Sequence, residues 1–124
     1  MIIAATIVLI LGVLAVFQLA LALGAPWGGL AWGGADRVLP RRRRIASVVT
    51  VLLYAVFAVI VLAAAGVASG LPPILVSVGI WVLFAVFVLG IVANAASKSR
   101  AERAVMTPLN AVLAVLTLLV ALGF

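Results

Sequence analysis

Long apolar runs alternate along this chain with two short polar windows. Ile2–Leu23 is interrupted only by Thr6, Gly12 and Gln18, and neither Ile45–Ser97 nor Ala104–Phe124 contains a charged residue. All charged side chains fall within Asp36–Arg44 and Lys98–Arg103. A helix rises about 1.5 Å per residue, so the first run matches a hydrocarbon layer about 30 Å thick. The run Ile45–Ser97 is too long for one span and must fold back. Gly66, Gly70, Pro72 and Pro73 supply the turn, because glycine frees the backbone and a proline pair cannot continue a helix.

The pattern therefore predicts an all-α, polytopic membrane protein, an antiparallel bundle of four transmembrane helices in a single domain. The helices are expected at about 2–23, 45–68, 74–96 and 104–124, with basic loops at about 24–44 and 97–103. Two signals compete at the start of the fourth helix. Ser99-Arg100-Ala101-Glu102 fits a capping box, whereas Thr107-Pro108 fits an N-cap followed by proline in the first helical position. A short interfacial turn before a helix restarting at Pro108 satisfies both. Ala20-Leu21-Ala22 could pass for a signal-peptide cleavage site. No positive charge precedes it, however, and Arg37 and Arg41–Arg44 follow, which is the flank order of a retained span with its N-terminus outside.

The positions of Lys and Arg set the expected orientation. Arg37 and Arg41–Arg44 follow the first span, and Lys98, Arg100 and Arg103 follow the third, while the turn after the second span and both termini have none. Both basic loops are thus expected in the cytoplasm and both termini outside. This one-sided distribution argues against a chain that inserts both ways round, as small four-span drug exporters commonly do.

Composition excludes more than it identifies. Hydrophobic residues make up 69% and charged residues 8%, against about 25% charged in soluble domains, so a water-soluble fold is excluded. The chain has no Cys and no His, which removes thiol chemistry, imidazole bases and the commonest metal ligands. Its two carboxylates, Asp36 and Glu102, are remote in sequence. No catalytic residue, metal ligand or cofactor is assigned, and an enzyme is disfavoured. The net charge of +6 lies beside membrane spans, where topology and anionic lipid account for it better than nucleic acid does.

Candidate chemistry is confined to three places. Gly24–Gly34 holds Trp27 and Trp32 among glycines. It could be a re-entrant loop whose indoles cage a ligand, or a compact turn with two interfacial anchors. The Gly-x3-Gly spacings fall at loops and span ends, where they read as turn glycines, and Trp81 reads as packing. Gln18, Ser47, Thr50, Tyr54, Asn94 and Asn110 all fall in the half of the spans nearest the basic loops. Hydroxyls such as Thr6, Ser77 and Thr117 in the other half can bond a carbonyl one turn back. Carboxamides cannot satisfy themselves that way, so Gln18, Asn94 and Asn110 are expected to cluster with Tyr54. Such a cluster is either a polar ligand pocket or interhelical glue worth about 0.6 kcal/mol per bond. Arg41, Arg42, Arg43 and Arg44 serve as a topology anchor by default, with contact to anionic headgroups as a second role. The repeated Ala-Val-Phe triplets at 15–17, 55–57 and 85–87 are too cheap in this composition to establish a duplication.

Phe17-Gln18, Gly24-Ala-Pro-Trp27-Gly, Trp32-Gly-Gly, Leu39-Pro40 and Arg44-Ile-Ala-Ser47, followed by Asn94-x2-Ser97-x-Ser99-x2-Glu102-Arg103 and Pro108, together resemble a group of small four-span bacterial integral membrane proteins of unassigned function. That resemblance covers nearly the whole chain and implies the same fold and an inner-membrane location, but no activity. The expected function is a non-enzymatic binding or accessory protein whose partners are the bilayer, a second copy or a larger membrane protein. Alternatives are a subunit of an oligomeric transporter or channel, which a hydrated path would favour, and a lipid-modifying enzyme, which a carboxylate beside a headgroup-sized cavity would favour.

Overall fold

The computed structural model, residues 1–124, contains four long helices and no strand. They are α1 (Ile2–Ala22), α2 (Arg41–Ala64), α3 (Pro73–Ala95) and α4 (Arg100–Ala121). Each is long and apolar enough to cross a bilayer. The protein is a multi-pass membrane protein folded as an antiparallel four-helix bundle. Short connections make successive helices neighbours; α1 packs most closely on α2 and α3 on α4, and α1–α4 and α2–α3 close the ring. Apolar side chains such as Leu9 and Leu89, each 68% exposed, cover the outside, an arrangement that suits lipid and would aggregate in water.

Three boundaries differ from the sequence expectation. The first concerns the start of α2, which begins at Arg41, so that Arg41–Arg44 form its first turn and the preceding loop ends at Pro40. Pro40 is extended, and its carbonyl accepts from Arg44 N–H at 3.0 Å to close that turn. The second is the end of α2, at Ala64 rather than near Ala68. Gly66 takes φ +78°, and its N–H and that of Val67 return to Ala63 and Leu62 at 3.1 and 2.9 Å. This Schellman pair satisfies the last carbonyls and stops the helix. The third is α4, which begins at Arg100 and runs unbroken through Pro108. Ser99 caps it by accepting from Glu102 N–H at 3.2 Å, so the earlier of the two start signals prevails and Pro108 is an interior residue.

The interior contains two apolar clusters. The larger, around Ile7, Leu11, Val61, Leu83, Phe87 and Leu113, fills the half of the bundle away from the basic loops. The smaller, Leu21, Ala31 and Leu39 with Phe17 and Trp32 packed against it, lies under the α1–α2 loop at the basic end. Gln18, Tyr54, Asn94 and Asn110 lie between the two.

Pro108 denies Ala104 its helical donor, a defect that costs up to about 3 kcal/mol in a helix interior. Pro108→Ala is expected to raise the thermal unfolding midpoint in detergent without changing helix content. A lower midpoint would mean that the proline shapes α4 for packing.

Candidate functional site

The loop joining α1 to α2 folds back over the basic end of the bundle as two 3₁₀ turns, Gly28–Leu30 and Trp32–Gly34. Gly28 N–H donates to Arg37 C=O at 2.8 Å, closing the loop on itself. Its attachment to the α3–α4 junction centres on Glu102. Gly33 N–H and Ser97 Oγ–H both donate to Glu102 Oε2, at 3.0 and 2.9 Å. Ser97 Oγ also accepts from Ser99 N–H at 3.1 Å, and Ser99 Oγ–H donates to Gly29 C=O. The expected capping box is thus half made: Ser99 caps Glu102 N–H, but the carboxylate turns away from Ser99 N–H and takes the loop instead. Gly34 adopts φ +73°, and a Cβ there would collide with Ser99 Cβ, so only glycine permits this approach.

Trp32 is fixed from three directions. Its Nε1–H donates to the buried Ser47 Oγ at 3.2 Å, the Arg43 guanidinium stands 5.4 Å from the ring centroid, and its backbone holds φ +52°. A bulky residue in that region is strained, and surrounding contacts must hold it there. Arg44 bends back so that Nε–H donates to Leu39 C=O at 2.8 Å. Two of the four clustered arginines therefore fasten the loop, while Arg41 and Arg42 are exposed. Trp27 is 51% exposed and stacks parallel on Phe17 at 6.5 Å, away from the polar interior. Trp81 is also largely exposed and meets Phe84 edge to face.

Beneath the loop lies a chamber of about 270 Å³ lined from all four helices. Gln18, Tyr54, Asn94 and Asn110 all border it, with Trp32 and Glu102 at the loop end. Trp27 does not. Few of these polar groups bond across helices. Asn110 Nδ2–H donates within its own helix to Met106 C=O at 3.1 Å, and Asn110 lies against Gly90 of α3, where a Cβ would be 2.7 Å from Oδ1. Gln18 stands beside Tyr54, yet its buried Oε1 has no partner. The hydroxyls of Thr107 and Thr117 are also buried without partners. Thr117 thus departs from the expected bond one turn back, which Thr6 and Thr50 do make at 2.8 Å each.

Sequence reasoning missed Glu102 as a cavity residue. Its capping-box position pointed the carboxylate at its own helix, and nothing local reveals a loop about 70 residues away in sequence that claims it instead. A hint exists in the glycines opposite: a buried carboxylate needs backbone N–H donors, and a glycine-rich segment can bring them close. Comparison with protein-family models, with characterised proteins and with solved structures finds no match to this chain.

Gly34→Ala is expected to undock the loop. In a Trp27→Phe, Trp81→Phe background, Trp32 emission should shift to the red while far-ultraviolet circular dichroism stays unchanged. Unshifted emission would show that Ser99 yields without releasing the loop.

Proposed function

We propose that this protein binds a small ligand in the chamber between its two apolar clusters, and that it is a binding or accessory protein of a bacterial inner membrane. One observation carries the reading: carboxamide and phenol groups from four helices converge on one chamber, where Gln18 and Tyr54 are the only pair among them and the buried Gln18 Oε1 still has no partner. Glue would pair them across helices. The large apolar cluster filling the other half of the bundle favours binding over conduction. A lipid-modifying enzyme is a second reading, supported by the Glu102 carboxylate at the chamber wall. Its weakness is that the hydroxyl bonded to Glu102 belongs to Ser97, which does not line the chamber and serves the loop attachment. In the proposed orientation the chamber and basic segments face the cytoplasm and both termini lie outside, as the one-sided Lys and Arg distribution implies. Arg41 and Arg42 then face the anionic headgroup layer. The resemblance to small four-span bacterial proteins supports the location.

The binding reading is tested by native mass spectrometry of protein extracted from its own membrane. A small-molecule or lipid adduct is expected on the wild type and lost in Asn94→Leu/Asn110→Leu, whose stability should fall by about 1 kcal/mol or less per site. An adduct retained by the double variant, or none on the wild type, would count against it. Orientation is tested separately in this cysteine-free chain. An impermeant thiol reagent on intact cells should label Ser69→Cys and spare Ala96→Cys; the reverse pattern would invert the topology.

A further inference from the structure

Resting on the binding reading, the geometry points to a ligand class: we propose that the chamber receives the ammonium group of a primary amine, held by Glu102 and Gln18. The polar wall offers unpartnered acceptors beside the amide donors of Gln18 and Asn94. Both protein donors to Glu102 reach Oε2, so Oε1 has no protein donor. Gln18 is 9% exposed, and its Oε1 is an acceptor with no partner. Asn110 spends one amide hydrogen on its own helix, and its carbonyl oxygen is a further acceptor. The buried threonine hydroxyls add nothing to this, because a hydroxyl rotates freely toward a carbonyl one turn back. The Gln18 carboxamide oxygen has no such recourse.

Charge points the same way. The chain carries eight Lys and Arg, yet none lines the chamber. Arg43 is committed to Trp32, Arg44 to Leu39 C=O and Arg103 to Ser97 C=O at 2.6 Å. The one carboxylate on the wall is therefore uncompensated by a protein cation, although basic residues flank it in sequence. A buried carboxylate meets its cost when a cation with hydrogens to donate joins it. An ammonium group brings one positive charge and three donors to a site with at least two free acceptors. Aromatic walls from Phe17, Trp32 and Tyr54 suit a cation more than an anion. An anion would meet Glu102 with no cation to offset it. The amine can come from a soluble molecule or from the ethanolamine headgroup of a phospholipid, which share this chemistry.

The test uses the full chain with Trp27→Phe and Trp81→Phe, so that Trp32 reports from the chamber wall, in phosphatidylcholine nanodiscs. Butylammonium, butanol and butyrate are titrated in turn. Butylammonium is expected to change Trp32 emission saturably, whereas the neutral and anionic analogues are not. Glu102→Gln keeps a carbonyl oxygen for Gly33 N–H and Ser97 but removes the charge, and should weaken butylammonium binding by roughly tenfold or more. Equal response to butanol or butyrate, or unchanged affinity in Glu102→Gln, would overturn the ammonium assignment. The comparison of three probes on the unaltered site decides the matter even if Glu102→Gln fails to fold. If none of the probes moves Trp32, the assignment also falls; an adduct seen on the wild type and lost in Asn94→Leu/Asn110→Leu would then leave the binding reading standing. Adding phosphatidylethanolamine to the nanodiscs separates the sources: competition with butylammonium identifies the lipid headgroup, and its absence a soluble amine.

Discussion

A carboxylate drawn out of water at the end of a membrane helix must find donors, and the way Glu102 finds them organises the basic end of this bundle. Its own helix offers a donor in Ser99 N–H, but Ser97 Oγ takes that one, and Glu102 turns to Gly33 of a loop about 70 residues earlier in sequence. The α1–α2 connection is thereby joined to the α3–α4 junction. Closing a long loop costs conformational entropy that a few hydrogen bonds offset only if their geometry is good. The loop accordingly shows signs of close fitting: glycine where any side chain would strike Ser99, and a tryptophan held at positive φ by a hydroxyl below and a guanidinium above.

That attachment also gives the arginine cluster a second physical role. In a purely topological account, Arg41–Arg44 need only remain on one side of the membrane. Here Arg43 and Arg44 turn onto the loop, while Arg41 and Arg42 remain free for solvent or headgroups. Four cations in the first turn of α2 oppose the helix dipole. The tolerance of this arrangement is explained by the partners the last two acquire. Trp27 and Trp32 divide in the same manner. One is exposed on a phenylalanine at the bundle edge, as an interfacial anchor would be, and the other closes the chamber.

The spans were legible from sequence because hydrocarbon imposes a length and forbids charge, constraints that act locally. Helix direction then fixed depth, which is why Gln18, Tyr54, Asn94 and Asn110 could be assigned to one level before any packing was known. Local signals failed where two were in competition or where the deciding contact was remote. Ser99 and Pro108 both announced the start of α4, and only the hydrogen bond to Glu102 N–H decides between them. The end of α2 was readable in principle from Gly66, but the apolar run continues past it and hydropathy alone does not stop there. The role of Glu102 was beyond local reading, since side-chain direction in a cap depends on what lies across the gap.

An unpaired amide acceptor in a membrane bundle is a cost, about 1–3 kcal/mol when a buried group goes without its hydrogen bond. Gln18 carries such an acceptor at a buried position. Asn94, in the last turn of α3, makes no bond that fastens it to another helix, so stability does not explain it either. Stability alone would select apolar side chains around this chamber and polar ones only where they pair. The structure shows instead the unpartnered Gln18 acceptor and the amides of Asn94 and Asn110 on one chamber between two apolar clusters, with the only buried carboxylate beside them. Departures from good packing that gather at one place while the rest of the fold obeys the rules are the physical mark of a site.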